Sequence, residues 1–350
     1  MKNAIYIISA LLLSIAHSYL QQGALAGSSP SIDGWFLCIY PLIFVLVGLG
    51  VDRFNYNSLF SIAGGFIILS SIAFDDSPQV FYYTNLLGLS LIVVSSAVEV
   101  RSNSPQKCLP LAFYLAALVL GQSWGRGLYN QGLPSLWPLL FLIVAILGLS
   151  VYQYRQEGTF RSKSTEAVPL ALNAKKICVL SLILMAVWLQ AFLVGYPYEE
   201  INIFSLIFGD LAFAVGIIAG GWLADKVGIM KPVLLSLLLL LVISSWSSLF
   251  LLAKFLTGLY VPITLHIFFK ILYNRYGLAF ALFYLLLTLG QIFCPELKGN
   301  ILLFNVRWYV LVALASSYGA LYISYDIINP IDQTSPRATQ KEIINEHKIC

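Results

Sequence analysis

The sequence predicts an all-helical integral membrane protein whose chain crosses the bilayer many times. Of its 350 residues, 59% are hydrophobic and 10% are charged, and the mean hydropathy is +0.84. Soluble domains carry about 25% charged residues, so this composition excludes a soluble globular protein. The apolar residues come in stretches close to the ~20 residues that a helix needs to cross a hydrocarbon core.

Twelve apolar spans, which we number 1 to 12, follow one another between short polar breaks. Their predicted limits are 4–24, 35–51, 58–74, 80–99, 108–128, 136–153, 177–196, 203–224, 232–252, 255–273, 277–294 and 301–324. The boundary between spans 9 and 10 is placed by length alone, because SSWSSLFLLAKF contains no Gly or Pro. Residues 154–176 form the longest internal polar stretch. They predict a cytoplasmic linker between a six-helix bundle at 1–153 and another at 177–325, with a cytoplasmic tail at 326–350.

The basic residues predict the orientation, because Lys and Arg that flank short loops stay in the cytoplasm. With the N-terminus inside, the outer loops carry only Lys254 and Lys298 among the basic residues. The same loops carry six acidic residues, namely Asp33, Asp75, Asp76, Glu199, Glu200 and Glu296. Both termini are therefore predicted to be cytoplasmic, and the net charge of +4 reflects topology rather than nucleic-acid binding. Short loops and a compact chain favour the inner membrane of a bacterium.

The first 26 residues have an alternative interpretation as a cleavable signal peptide. Lys2 precedes an apolar run, and Ala24-Leu25-Ala26 resembles a cleavage site. Removal would leave eleven spans with the same loop orientation, so the charges do not decide between the two. The long, bulky segment HSYLQQGALAG follows the apolar run where a short cleavage region is expected, and it favours retention as span 1.

Two similar peptides indicate an internal repeat. Gly221-x-x-x-Asp225-Lys226 ends span 8 and Gly48-x-x-x-Asp52-Arg53 ends span 2, with the two aspartates 173 positions apart in a chain whose half-length is 175. At the same offset His17 of span 1 corresponds to Gln190 of span 7. Such repeats are typical of transporters.

The peptide GWLADKVGIMK resembles the signature G-x-x-x-D-[RK]-x-G-[RK]-[RK], which joins the second and third helices of each half in the major facilitator superfamily. The matching residues are Gly221, Asp225, Lys226, Gly228 and Lys231. The copy in the first half keeps Gly48, Asp52 and Arg53 but lacks the second glycine. The resemblance implies two pseudo-symmetric six-helix bundles that rock about a central cavity.

The resemblance also implies a cytoplasmic latch. A carboxylate at the end of one helix can accept hydrogen bonds from the free N–H groups at the start of another. In the superfamily span 8 abuts span 5, so Asp225 is expected near Lys107 and Cys108, and Asp52 near Gly277 at the start of span 11. The alternative is that these charges only anchor helix ends at the membrane interface. The latch candidates are Asp52, Arg53, Glu99, Arg101, Gly221, Asp225, Lys226 and Gly228.

Two glycine pairs and two charges are expected at the contact between spans 5 and 8. Gly121-x-x-x-Gly125 and Gly216-x-x-x-Gly220 have the spacing that lets helix backbones approach closely in lipid. Arg126 and Asp210 lie at similar depth near the outer ends of the two spans, so they are candidates for an outer gate. The alternative for Arg126 is that it reaches the outer headgroups alone.

Ionisable groups inside spans are candidates for function, because they are costly in hydrocarbon. His17 and His266 lie in spans 1 and 10, which border the cavity in the superfamily, and histidine titrates near neutral pH. The alternative is a neutral histidine bonded to a carbonyl or a nearby side chain. The other candidates for solute binding are Gln21, Asn85, Gln122, Gln190 and Gln291. The absence of mid-membrane arginines favours a neutral, zwitterionic or amphipathic solute.

The sequence thus predicts a secondary active transporter that moves a small organic solute by alternating access, with protons as a candidate coupling ion. The alternative is a non-transporting membrane scaffold or receptor. An enzyme is not expected, because the three histidines are scattered, and the five cysteines form no CxxC pair that would favour a metal or disulfide. We expect a monomer in the lipid bilayer with no cofactor, metal or nucleic-acid partner.

Overall fold

The computed structural model of the protein describes most of both halves of the chain. It covers residues 2–27, 34–54, 62–68, 78–132, 134, 136–157, 178–179, 181–182, 203–243, 250–272, 275–286 and the single positions 312, 315, 316, 319 and 322. Within these ranges all regular secondary structure is helical. The first four residues of the predicted linker, 154–157, continue the span 6 helix. Residues 158–176 of the linker, the C-terminal tail and most of spans 7 and 12 lie outside the described residues.

Ten helices are described, and each keeps the number of its predicted span. They are Lys2–Gly27 (span 1), Gly34–Phe54 (2), 62–68 (3), Pro78–Asn103 (4), Leu109–Asn130 (5), Leu136–Glu157 (6), Ile203–Val227 (8), Met230–Ile243 (9), Phe250–Ile271 (10) and Tyr276–Leu286 (11). Within the described part of the chain, four segments are long and apolar enough to cross a membrane: Asn3–Leu20, Thr84–Asn103, Ile207–Val227 and Leu251–Ile271. An all-helical, multi-pass membrane protein is therefore confirmed.

One predicted boundary is wrong. The helix of span 9 ends at Ile243 and that of span 10 begins at Phe250. The boundary predicted at 252–255 therefore falls inside a helix. It was set by length, and length carries no information about a break that no Gly or Pro marks.

Helix ends follow local backbone chemistry. The span 5 helix begins with a proline in its first turn, where the missing N–H costs no hydrogen bond. The span 8 helix stops at Gly228, whose φ of 93° is in the left-handed region that favours glycine. Its N–H donates to the carbonyl of Ala224 at 3.2 Å. The second glycine of the motif thus ends the helix two residues after Lys226.

The helices pack closely within each half and between halves. In the first half, span 1 contacts spans 4, 5 and 6, and span 2 contacts span 4; in the second half, span 10 contacts spans 8 and 9. Between the halves, span 5 contacts span 8 along its length and also touches span 10. The side chains at the centre of this packing are large and almost fully buried, and they include Tyr6, Tyr114, Tyr260, Phe268 and Phe280.

The glycine pairs face other neighbours than expected. A side chain at Gly121 or Gly125 would collide with the backbone of span 1, at Leu11 and Ile15. In the second half, Gly216 and Gly220 face the backbone of span 10. The prediction that the two pairs meet across the interface is therefore wrong, since each pair packs its own half. Spacing identifies a face of a helix but does not say which neighbour that face meets.

Candidate functional site at the contact between the halves

Asp225 caps the start of span 5 from the other half of the chain. Its carboxylate accepts hydrogen bonds from the backbone N–H of Cys108 at 2.7 Å and of Leu109 at 3.1 Å. The Cys108 side chain makes no cap of its own, so the first N–H groups of the helix have no local partner. The positive end of the helix dipole favours the negative charge placed there. A residue of span 8 therefore stands in for the missing local cap.

Asp52 makes the equivalent contact with span 11. It accepts hydrogen bonds from the N–H of Gly277 at 2.7 Å and of Leu278 at 2.8 Å. Here the carboxylate comes from the first half and the helix start from the second, the reverse of the Asp225 contact. We call the two contacts the paired caps. Both lie where the superfamily resemblance implies them.

A glycine one turn before each aspartate lets the two helices approach. A side chain at Gly221 would collide with Ala112 of span 5, and one at Gly48 would meet the Gly277 carbonyl oxygen at 2.5 Å and the Ala281 Cβ at 2.7 Å. The first glycine of the motif thus has a packing role at both places. It allows the aspartate to reach the backbone of the neighbouring helix.

Burial distinguishes the two caps. Asp225 is exposed, whereas Asp52 is half-buried. Burial raises the pKa of Asp52 from 3.8 to about 6, although the hydrogen bonds from Leu278 and Gly277 and the charge of Arg275 oppose the shift. Asp52 lies one residue beyond predicted span 2, at the membrane edge. The Asp52 cap is therefore expected to respond to mild acid.

The remaining latch candidates divide into two groups. Arg53, Lys226 and Gly228 are exposed and Glu99 is half-buried. Arg101 is 4% exposed and extends from span 4 into the second half. Its NH1 donates to Nδ1 of His266 at 2.9 Å, and its guanidinium lies 5.4 Å from the centre of the Phe269 ring. No spacing or motif in the sequence indicated these partners.

The Arg101 contact determines the protonation of His266. A guanidinium has only donors, so Nδ1 of His266 must accept, which leaves the ring neutral with its proton on Nε2. This arrangement is the alternative considered for His266, a neutral histidine bonded to a nearby side chain.

His17 and Asn85 form a buried pair between spans 1 and 4. Nδ1 of His17 lies 2.8 Å from Oδ1 of Asn85, and the two residues are 7% and 3% exposed. Because Oδ1 can only accept, Nδ1 carries a proton and Nε2 keeps the lone pair of the ring. Nδ2 of Asn85 is buried and finds no hydrogen-bond partner within the described ranges. The structure thus brings together two residues that the sequence suggested separately, and His17, unlike His266, can accept a proton without losing its hydrogen bond.

The other solute-binding candidates are not brought into this pair. Gln122 is half-buried on span 5. Its backbone carbonyl oxygen accepts a 3.4 Å hydrogen bond from Arg126 Nε. The side chain of Gln21 and the whole of Gln190 and Gln291 lie outside the described residues.

Arg126 and Asp210 form an ion pair at the opposite end of spans 5 and 8. NH2 of Arg126 lies 3.1 Å from Oδ2 of Asp210, with side-chain exposures of 50% and 25%. The two helices are antiparallel, since the Asp225 cap joins their other ends. The ion pair and the paired caps are present together in this structure, so formation of one does not require loss of the other.

Cys108, expected near Asp225, makes a further contact with span 10 that sequence analysis did not identify. Besides its N–H bond to Asp225, its Sγ donates to the carbonyl of Pro262 inside the span 10 helix at 3.3 Å. The start of span 5 therefore contacts both span 8 and span 10. A proline within an apolar helix was the available signal, because it disturbs the helix hydrogen bonds around it.

Comparison with solved structures places the fold among known transporters. FucP, the E. coli fucose:proton symporter of the major facilitator superfamily, superposes in its outward conformation with a TM-score of 0.65 at 12% identity, over 94% of this chain and 100% of that one. A bacterial homologue of the iron transporter ferroportin, outward-facing, gives 0.61 at 12% identity over 93% and 99%. The human organic anion transporter MFSD10 gives 0.61 at 17% identity over 92% and 98%.

The chain therefore has the fold of major facilitator superfamily transporters, and the resemblance seen in the sequence is confirmed at that level. No family model matches the sequence, and no curated protein matches it. The three structures are those of transporters rather than enzymes.

Proposed function

We propose that the protein is a secondary active transporter that moves a small organic solute across a membrane by alternating access. The paired caps carry this proposal. Each joins the predicted cytoplasmic end of a helix in one half to the start of a helix in the other, through hydrogen bonds that a rocking motion would break as a unit. A contact of this kind is stable enough to hold one side closed and weak enough to open, about 1–2 kcal/mol per cap.

The proposal includes the complete architecture. Twelve spans form two six-helix bundles at 1–153 and 177–325, with the linker 154–176, the tail 326–350 and both termini in the cytoplasm. The Lys and Arg distribution supports this orientation. The short loops and the compact chain support a location in a bacterial inner membrane. We propose a monomer.

Proton coupling is assigned to His17. The hydrogen bond to Asn85 leaves Nε2 as the basic nitrogen, and a buried histidine that gains a proton changes the charge of its surroundings. The fold does not choose the solute, because the neighbours named above include a fucose symporter, an iron transporter homologue and an organic anion transporter.

The test is solute accumulation in proteoliposomes containing the purified protein, with and without an inward proton gradient. We expect saturable accumulation of at least one solute that depends on the gradient in wild type and is reduced in His17→Gln. Saturable uptake that ignores the gradient would retain transport and reject proton coupling. A folded protein that binds solutes but moves none under any gradient would instead be a receptor or scaffold.

A further inference from the structure

Arg101 is a buried cation that has no acidic partner among the described residues. It is 4% exposed, and it makes no ion pair with any carboxylate of the described residues. Asp225, which lies near Cys108, uses both oxygens on backbone N–H groups. A buried charge is normally paired, because removal from water is costly. The missing partner is therefore the feature to explain.

The described groups around the Arg101 guanidinium are either neutral or positively charged. His266 accepts from NH1 and is neutral, and the Tyr276 hydroxyl oxygen also accepts a hydrogen bond from the guanidinium. Lys270, one helical turn after His266, is close enough to interact electrostatically with Arg101. The aromatic rings of Phe269 and Tyr276, at 5.4 and 5.8 Å from Cζ, provide faces that favour a cation. Spans 4, 10 and 11 thus surround the Arg101 guanidinium with described groups that are neutral or basic.

Part of the guanidinium is unused. Nε of Arg101 is buried and has no hydrogen-bond partner in the part of the chain that the structure describes. The edge of a guanidinium formed by Nε and a terminal nitrogen binds carboxylates and phosphates with two parallel hydrogen bonds. Arg101 therefore retains a donor suited to an oxyanion.

We propose that Arg101 is the centre of an anion-binding site, which takes the carboxylate or phosphate group of a small organic anion, with Lys270 contributing to the positive potential. This inference rests on the proposed transport function and deepens it by naming the class of solute. It replaces the neutral or zwitterionic solute expected from the sequence. That expectation used the absence of mid-membrane arginines, whereas Arg101 lies at the end of span 4 and still points into the protein.

The start of span 11 covers this site. Tyr276, which contacts Arg101, is directly followed by Gly277, which Asp52 caps. Release of the Asp52 cap would free the segment that holds Tyr276 over the guanidinium. Access of the anion and opening of the paired caps are thereby linked, and a weakened Asp52 cap should increase the apparent anion affinity, because the binding-competent state becomes more populated.

The test measures the thermal unfolding midpoint of the purified protein in neutral detergent. Sodium phosphate and sodium succinate are titrated against sodium chloride at equal ionic strength. We expect a saturable increase of the midpoint with phosphate or succinate in wild type and in the exposed-lysine control Lys231→Gln. The increase should disappear in Arg101→Gln and require roughly tenfold more anion in Arg101→Lys, which keeps the charge but lacks Nε. Asp52→Ala, which removes both acceptor oxygens of the cap, should saturate at lower anion concentration than wild type.

Three results would overturn the site: no anion-specific shift in wild type, an undiminished shift in Arg101→Lys, or saturation of Asp52→Ala at higher concentration than wild type. If Arg101→Gln does not fold, Arg101→Lys and Asp52→Ala decide. A shift produced by phosphatidylglycerol micelles that abolishes the response to phosphate would assign the site to a lipid headgroup and reject a solute.

Counterflow of labelled succinate in proteoliposomes separates the proposed transport function from the proposed anion site. Anion binding without any transport rejects the transporter and keeps the site, whereas transport without an anion effect rejects the site alone.

Discussion

Asp52 and Asp225 stand 173 positions apart in the sequence, and each caps the start of a helix that belongs to the opposite half of the chain. The helix starts that they cap, at Gly277 and Cys108, are 169 positions apart, so both partners of the contact are repeated. The repeat therefore produces two contacts between the halves: in one the second half caps the first, and in the other the first half caps the second. Neither half can move away from the other on that side without breaking both.

Asp225→Asn is expected to weaken closure of the predicted cytoplasmic side. It removes the charge at the helix start but keeps the size of the side chain, so we expect a loss of about 1–2 kcal/mol, or roughly 5- to 30-fold in the open-to-closed ratio. The measurement is the rate of maleimide labelling of Cys108, which is 2% exposed, with the other four cysteines replaced by serine. Labelling should accelerate in Asp225→Asn and not in Lys231→Gln. Equal rates in a folded, active variant would rule out the latch.

Gly221→Ala should hold spans 5 and 8 apart. The added methyl group would collide with Ala112, and overpacking of this kind costs typically 1–3 kcal/mol. We expect a lower thermal midpoint and faster Cys108 labelling. Gly127→Ala on span 5 is the control, because nothing lies within 4 Å of a side chain at that glycine. If both variants behave alike, close approach at Gly221 has no part in closure.

Part of the site could be predicted from the sequence and part could not. The motif gave the position of each aspartate relative to its helix end, and the backbone N–H groups at a helix start need partners whatever the side chains are. Helix faces were harder, because each residue turns the helix by ~100°, so Gly221 and Gly220 face different neighbours. The pairing of His17 with Asn85, and of Arg101 with His266, depends on the order of helices around the core. Neither pair has a signature in spacing.

The Asp52 cap should be strengthened by mild acid. Its pKa of about 6 in the capped state exceeds the ordinary 3.8, so the capped state binds the proton more tightly than a state in which Asp52 is in water. The protonated carboxyl group thus stabilises the capped state. This stabilisation is complete below pH 3.8 and is lost as the pH rises through about 6. From pH 7.5 to pH 5 the capped population should increase about tenfold relative to the open one.

Spin labels at Ser102 and Lys231, exposed positions in the two halves, can measure this response as a change in distance distribution. We expect a shift to the shorter distance at pH 5 in wild type and none in Asp52→Asn. An identical response in both would mean that another group titrates.

His17→Gln should impair proton-driven accumulation more than His266→Gln. Glutamine can still donate to Asn85 but has no basic nitrogen, so it tests proton binding rather than packing. We expect a loss of roughly 5- to 150-fold in gradient-driven accumulation, the usual range of coupling between two sites. His266 has its Nδ1 occupied by Arg101, and its replacement should change the pH profile less. Wild-type rate and pH dependence in His17→Gln would make His17 a packing residue.

The Arg126–Asp210 pair is expected to contribute modestly, and unequally. Exposed ion pairs contribute about 0–1 kcal/mol, and Asp210 is the more buried partner. Asp210→Ala should therefore reduce activity more than Arg126→Ala, because a solitary arginine can still reach water. The charge-swapped double variant should recover part of the loss in uptake assays. An additive loss in the double variant would show that the two side chains do not act together.

Because each cap comes from the opposite half, one of its two partners is synthesised well before the other. The start of span 5 leaves the ribosome 117 residues before Asp225, an interval of roughly 6 to 23 s at translation rates of ~5–20 residues per second. Asp52 waits for a partner 225 residues downstream, or roughly 11 to 45 s. During that time water and lipid headgroups must serve these N–H and carboxylate groups. In nascent chains interrupted before span 11, Asp52 would therefore lack the helix start that it caps. Membrane quality-control proteases would act on this incompletely packed form.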